Sequence, residues 1–402
     1  MALDEHYLPV CWVPLLPGNS LTVILFKLIF VASLLHLYVG MRLVPALDSP
    51  MGLLFGLYLG VSSVLIPLAL LSRPMPAPRR ERLAWAGFLL MGVFSSLWVL
   101  TVLRDLLLIA AGGASLLGPL QAPGAAMESF AAGSAPMIPA AALCVSIIGL
   151  WSARRFNRVR EVQVPIGGLP ATLNGFRIVQ ITDVHVGPTI GRREVERIVA
   201  AANALAADLI AVTGDLVDGS VEQLSAATQP LSGLRARHGA CFVTGNHEYY
   251  SGAHAWIVEL RRLGLRVLMN EHVLLQHGDA TVLVAGISDF SAAHFDPAHA
   301  SDPQRALTGA PPASLRLLLA HQPRSCFAAV PLGFHLQLSG HTHGGQFLPW
   351  PLFVQLQQPF TAGLHRLQDM WIYVSRGTGY WGPPLRLGAP PEITLLRLTV
   401  AR

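Results

Sequence analysis

Five short blocks in the second half of this 402-residue chain carry the side chains best suited to chemistry. They are Asp183-Val184-His185, Gly214-Asp215, Gly245-Asn246-His247-Glu248, His321 in AHQP, and Gly340-His341-Thr342-His343. Carboxylates and imidazoles together make a mixed oxygen and nitrogen donor set, suited to Mn, Fe or Zn rather than to Ca alone. His341 and His343 stand one residue apart. In a strand both would point the same way, because side-chain direction repeats every two residues. Taken singly, a His, an Asp before a turn or an Asn in a glycine-containing loop is more often structural than catalytic. Five such blocks in succession, each closing an apolar run, resist that reading.

Those runs are the elements that must position the blocks. FRIVQITD (176–183), DLIAVTGD (208–215), ACFVTGNHE (240–248), LRLLLAHQ (315–322) and FHLQLSGHTH (334–343) read as short buried strands ending in polar residues. RREVERIVAAANALAA (192–207) and HAWIVELRRLG read as helices, with VEQLSAATQPLSGL a weaker third. Strands alternating with helices predict an α/β sheet. Ligands of such sheets sit beyond the carboxyl ends of the strands, so the polar strand ends should converge on one site.

The order D-x-H, G-D, G-N-H-E, H, G-H-x-H resembles that of the calcineurin-like metallophosphoesterases, over roughly residues 170–402. TGNHEYY, SGHTHGGQ and VSRGTGYWGPPLRLGAPPEITLL are similar to the membrane-anchored subgroup of that family. The resemblance implies an α/β fold, a sandwich of two β-sheets flanked by helices. It also implies two divalent metal ions. One would take Asp183, His185 and His343, the other Asn246, His321 and His341, with Asp215 bridging both. His247 would stand over the substrate phosphate rather than bind metal. Two cations ~3.5–4 Å apart can clamp an in-line phosphoryl displacement, and a water bridging them becomes a nucleophile near neutral pH. His247 could stabilise the phosphoryl oxygens or protonate the leaving alkoxide. Arg376 is a candidate for a phosphate oxygen, with a structural salt bridge as the alternative. Asp218 and Glu248 could orient ligands from behind or simply cap turns. Tyr249 and Tyr250 are expected to pack, and Arg192 and Arg193 to form a solvated helix face.

The first half is a different material. The mean hydropathy of +0.49 and the 13% of charged residues average over an apolar stretch to about residue 153 and an ordinary α/β sequence after it. Spans of ~20 apolar residues, enough to cross a bilayer, are expected at 22–41, 51–72, 83–103 and 134–153. The third helix is expected to stop at Leu103, leaving Arg104 and Asp105 among headgroups; the alternative is a helix that continues through RDLLLIAA with the two charges paired inside the bundle. MALDEHYLP lacks the basic start of a cleaved signal peptide. Arg73, Arg79, Arg80 and Arg82 precede the third span, and Arg154, Arg155, Arg158 and Arg160 follow the fourth. With four spans both basic stretches share one side, which predicts an integral, multi-pass protein with a cytoplasmic catalytic domain. The expected division is a membrane domain, an all-α bundle, at 1–156 and a catalytic domain at 157–402.

A formal charge of +5 and a pI of about 9.3 favour an anionic partner, a phosphate substrate or an anionic lipid surface. No basic run interleaved with aromatics points to nucleic acid. Four scattered cysteines imply no disulfide framework. The expected function is hydrolysis of a phosphodiester or pyrophosphate at the membrane. The substrate could be lipid-linked or a nucleotide-lipid, since the resemblance extends to UDP-diacylglucosamine pyrophosphatase-like hydrolases. The alternative is a membrane transporter or receptor whose metal-binding domain senses a phosphorylated ligand. Its spans would need ionisable residues, and only Lys27, His36 and the Arg104–Asp105 pair qualify. A purely structural metal scaffold leaves His247 without a role.

Overall fold

The computed structural model describes residues 18–72, 75–117, 124–156 and 158–401. The N-terminal stretch read for a signal peptide, Cys11 and Arg73 lie outside the described residues. Five helices come first: α1 (Gly18–Leu43), α2 (Ser49–Leu70), α3 (Ala77–Leu117), α4 (Gly124–Ser134) and α5 (Met137–Ala153). Among the described residues three stretches are long and apolar enough to cross a membrane: Val23–Ala46, Ser49–Leu70 and Pro78–Ala111. Met127–Ser134 and Met137–Ala153 meet at 43° and add a fourth if they count as one span. Large apolar side chains such as Phe26 and Leu53 are exposed on α1 and α2, as a lipid-facing surface would have them.

One expectation is corrected here. The third helix does not stop at Leu103 but continues to Leu117. RDLLLIAA holds no Gly or Pro to end it, and its charges are satisfied where they are. Arg104 is buried and donates to Ser134 Oγ (2.9 Å), the Ala131 carbonyl (2.7 Å) and Asp105 (3.1 Å). Asp105 also accepts from Arg42 (2.7 Å) and Tyr38 (2.8 Å). A neutralised cluster of this kind removes the reason to place both charges at an interface.

The described residues divide into two compact units. One comprises those up to Met91 with Arg104–Ile138; the other comprises Gly92–Leu103 with Pro139–Arg402. The second unit contains twelve strands: β1 (Val159–Ile166), β2 (Arg177–Ile181), β3 (Leu209–Val212), β4 (Ala240–Phe242), β5 (Arg266–Val267), β6 (Glu271–His277), β7 (Ala280–Gly286), β8 (Leu315–Leu319), β9 (Leu336–Ser339), β10 (Gly363–Leu367), β11 (Met370–Val374) and β12 (Ile393–Val400). Helices α6 (Arg192–Ala204), α7 (Val221–Thr228), α8 (Asn246–Tyr250), α9 (Ala253–Arg262) and α10 (Trp350–Gln357) lie between them.

The strands form not one sheet but two, each six-stranded and mixed. Their orders are β1-β12-β2-β3-β4-β5 and β10-β11-β9-β8-β7-β6. β12 runs parallel to β1 and antiparallel to β2, with Leu396 beside both Val162 and Ile178. Between the sheets lies a core that includes Ile178, Leu209 and Cys241 from the first and Val282, Leu317 and Leu338 from the second. Alternate residues face outward under helices. Val179, Ile210 and Phe242 meet Val195, Ile198, Trp256 and Leu260, while Leu283 and Leu318 meet Cys326 and Phe334. Strands covered on both faces are largely apolar, which is why β3 reads as an unbroken hydrophobic run and β8 as one interrupted only by Arg316. Each such side chain contributes ~1.5–3 kcal/mol by burial. The result is the sandwich of two sheets flanked by helices, preceded by apolar helices.

Candidate metal centre

The strands end earlier than the apolar runs suggest. β2 stops at Ile181, β3 at Val212, β4 at Phe242, β8 at Leu319 and β9 at Ser339. The chemically able residues therefore occupy the loops just beyond, and strand geometry does not apply to His341 and His343. Five of them adopt left-handed backbone conformations: Asp183 (φ 53°), His185 (54°), Asp215 (51°), His341 (69°) and His343 (51°). Each costs a non-glycine residue ~1–2 kcal/mol. The return is a sharp turn at each strand end that folds successive donors back toward one point. Gly340 permits a close approach, since a Cβ there would lie 2.1 Å from Asp183 Oδ2 and 2.2 Å from Thr182 Oγ1.

Two groups of donor atoms result. Asp183 Oδ1 lies 3.3 Å from His343 Nε2, which is 3.0 Å from His185 Nε2. Asp215 Oδ2 lies 3.1 Å from His321 Nε2, which is 3.2 Å from His341 Nδ1. Asp215 Oδ2 is also 4.0 Å from His185 Nε2 and from His247 Nε2, so it stands between the groups. The donors Asp183, His185 and His343 lie within 4.8 Å of one another, as do Asp215, His321 and His341. His341 and His343 thus turn into different groups. Asn246 Oδ1 is buried with no hydrogen-bond partner, a costly state for an amide oxygen. Its chain neighbour His247 donates its backbone N–H to Asp215, and an orphaned oxygen on that loop, together with carboxylates and imidazole nitrogens that face one another, fits a divalent cation.

A family model for calcineurin-like phosphoesterases matches residues 176–345, which hold every block described above. A protein of Aquifex aeolicus, named as an uncharacterized metallophosphoesterase, is 31% identical over 245 residues, covering 60% of this chain and 92% of that one. The chain belongs to the calcineurin-like phosphoesterases. Two longer relatives carry the name transmembrane protein with metallophosphoesterase domain. The one from Danio rerio is 37% identical over 265 residues, covering 64% of this chain and 61% of the relative. The one from Bos taurus is 39% identical over 269 residues, covering 64% and 60%. The chain spans about 60% of the length of these two relatives.

In this metallophosphoesterase the residues behind the donors hold them in place. Asp218 Oδ1 meets Nδ1 of His185 (3.2 Å) and Nδ1 of His247 (2.5 Å), which turns both Nε2 atoms inward. His321 Nδ1 is held by the Thr213 carbonyl at 2.8 Å. Asp183 accepts from His341 N at 2.9 Å, and Asp215 Oδ1 accepts from His247 N at 2.8 Å. Glu248 accepts three backbone N–H groups, from Gly245 (2.6 Å), Leu216 (2.7 Å) and Asp215 (3.0 Å). It therefore ties the Asp215 loop to the Asn246 loop.

The electrostatics suit ligation. Burial pushes the His343 imidazole down to about 3, and burial with the neighbouring His321 pushes His341 down to about 4. Both are thereby neutral, the form that binds a metal. Burial also opposes charge on His321, but Asp215 outweighs it and raises the ring to about 10, a proton that a cation would displace. For Asp183, Asp215 and Asp218 burial works against ionisation, yet the facing imidazoles prevail and hold the carboxyls below their usual range. Burial and the Asp215 charge push Glu248 up to about 8, against the pull of its backbone donors.

The softer expectations resolve unevenly. Arg376 is half-buried and forms no salt bridge among the described residues, so the salt-bridge alternative for it is not seen; its backbone N donates to Glu392 at 3.2 Å. Tyr249 packs and its hydroxyl meets His299 Nδ1 at 3.2 Å, while the Tyr250 ring lies 5.1 Å from His247. Arg192 pairs with Glu196 on an exposed helix face. Sequence reasoning missed Arg386. It is buried, donates to the carbonyls of His343 (2.8 Å), Arg376 (2.7 Å) and Gly379, and stands 2.9 Å from His343 Nδ1. Its signal was a lone charge inside the otherwise uncharged PPLRLGAPP.

Proposed function

We propose that this protein is a metal-dependent phosphoesterase that holds two divalent ions, Mn, Fe or Zn, and cleaves phosphodiester or pyrophosphate bonds at a membrane. The convergence of Asp183, His185, Asp215, His321, His341 and His343, with the buried Asn246 Oδ1 unpartnered on the loop that bonds Asp215, carries this reading. Asp183, His185 and His343 would hold one ion, Asn246, His321 and His341 the other, and Asp215 both. Bound there, the ions would supply positive charge for the phosphoryl oxygens and acidify water. The chain's own groups do the rest. His247 is partly open to solvent, and Asp218 fixes its Nδ1, so Nε2 can donate a proton to the leaving oxygen. Arg376 is the candidate to hold a phosphate oxygen. The substrate is a phosphate ester, and a lipid-linked one suits a catalytic domain at 157–402 attached to membrane helices within 1–156. The basic residues Arg79, Arg80 and Arg82, together with those from Arg154 to Arg160, support several spans and a cytoplasmic catalytic side. A transport or sensing role is the weaker reading, because Arg104 and Asp105 pair with each other and with Arg42.

The test is metal content with activity. The detergent-purified protein is stripped, reloaded with Mn, Fe or Zn, and assayed on an aryl phosphodiester beside Asp215→Ala. About two ions per chain and metal-dependent turnover, both lost in Asp215→Ala, is the expected result. Metal binding without hydrolysis of any ester would move the weight to the sensor.

A further inference from the structure

Helix α10 is unlike the other helices of the α/β part. Its sequence, WPLFVQLQ, holds no charge, and no Asp, Glu, Lys or Arg occurs from Ser325 to His365. None of its residues is buried. Leu352 is 62% exposed, Phe353 46% and Leu356 82%, with Leu348 just before the helix at 49%. A helix that rests on a soluble domain buries its apolar side and shows water a charged one. This helix does neither, and an exposed patch of this kind marks an apolar partner.

Two sets of contacts identify the partner. The Leu348 carbonyl accepts a 3.0 Å hydrogen bond from Ser95 Oγ, and Ser95 lies inside the apolar stretch Pro78–Ala111 of α3. Gly92, one turn earlier on α3, faces Pro383 and Leu385. Helix α10 therefore begins against a helix apolar enough to cross a membrane. Its other attachment is to the donor loop. A Cβ on Gly345 would lie 2.6 Å from Pro351, Thr342 Oγ1 donates to the Thr361 carbonyl at 2.6 Å, and the Trp350 and Trp381 rings meet at 5.5 Å. The Gln346 amide joins the two, donating to the Trp381 carbonyl at 2.9 Å.

We propose that α10 lies in the membrane among acyl chains and brings the His341–His343 loop to the bilayer surface, where phosphoesters carried by lipids are met. This deepens the membrane and hydrolase readings above and rests on them. The anchoring follows from chemistry: uncharged Leu and Phe side chains gain by leaving water, and each one buried in lipid adds to the attachment.

The experiment uses the full chain in vesicles of three parts phosphatidylcholine to one part phosphatidylglycerol. Cys11 and Cys144 are replaced by Ser, and a fluorescent label is placed at Leu356→Cys. Leu53→Cys on α2 serves as the lipid reference and the exposed Gln304→Cys as the water reference. The expected label at residue 356 is quenched by brominated lipid as at 53 and shielded from iodide relative to 304. Iodide quenching as strong as at 304, with 53 still shielded, would show α10 in water and overturn the proposal. Iodide access at 53 as well would overturn the membrane reading and this proposal together. A catalytic arm tests the consequence. Combined Leu352→Gln, Phe353→Gln and Leu356→Gln should lower turnover of a lipid phosphodiester in the same vesicles by roughly tenfold, while turnover of a soluble aryl phosphodiester is unchanged. Equal loss on both substrates, or no loss on either, would refute the role in access. A wild-type chain inactive on both would sink the hydrolase reading, and the label would still decide where α10 lies.

Discussion

Removing the Glu248 carboxylate should cost this domain more than removing most core methyl groups. Glu248 is fully buried and accepts from the backbone N–H groups of Gly245, Leu216 and Asp215. Glu248→Ala strands all three donors in a space without a substitute acceptor. A buried donor left without an acceptor costs ~1–3 kcal/mol, so three sum to roughly 3–9 kcal/mol before relaxation. Water entering the vacated volume recovers a part, which leaves a loss of about 3–5 kcal/mol. For a domain of this size, 1 kcal/mol moves Tm by ~2–4 °C, so the expected drop is about 10 °C. Glu248→Gln keeps the shape and one acceptor oxygen but turns an amide N–H toward a donor, so about half that loss is expected. The assay is thermal unfolding of detergent-purified protein, followed by metal analysis of the surviving fraction. Both the Asp215 and Asn246 loops should loosen, so the Ala variant should also retain less metal. An Ala variant that melts with the wild type and keeps its metal would refute the argument that this carboxylate ties the two loops together.

Other expectations are simpler to state. His247→Ala should keep its metal while kcat falls by ~10²-fold or more, read from metal analysis beside steady-state rates on an aryl phosphodiester. Asp218→Asn should slow turnover by ~10–100-fold with the fold intact by circular dichroism, because neither His185 nor His247 would be aimed. Gly340→Ala should weaken metal binding by ~10-fold or more in a metal titration, since its methyl group would meet Asp183 Oδ2. Unchanged affinity there would mean that the 339–343 loop yields more readily than its packing suggests.

The readable parts of the fold were those governed by burial. β3, and β8 apart from Arg316, are legible because a strand covered on both faces has few options but Leu, Ile, Val and Ala. The hairpin of β6 and β7 carries a local mark of its own, the two-residue turn Gly278-Asp279. The two-sheet arrangement was beyond periodicity, because β12 pairs with β1 and β2 across nearly the whole α/β sequence. The candidate site was legible as residue types at strand ends. It was not legible as geometry, since a left-handed φ at Asp183 or His343 has no compositional mark when the residue is not glycine. Asp218 and Glu248 could not be told from turn residues because the partners that decide their roles come from other loops, His185 and His247 for the first and Asp215 and Leu216 for the second. Arg104 was misjudged for the same reason: the groups that satisfy it, at Ala131 and Ser134, are remote in sequence.

The place of β12 in the first sheet bears on how the protein is made. β1 and β2 are separated from each other by a strand that follows every other element in chain order. A ribosome translating this message will have released all the donor residues, and β2, β3 and β4 can already align, while Ile393–Val400 do not yet exist. Until they do, β1 and β2 each present an open edge, and a half-made sheet is a template for pairing with the wrong neighbour. A message cut before Ile393 would therefore encode every residue of the candidate centre and still yield a chain destined for chaperones or proteases.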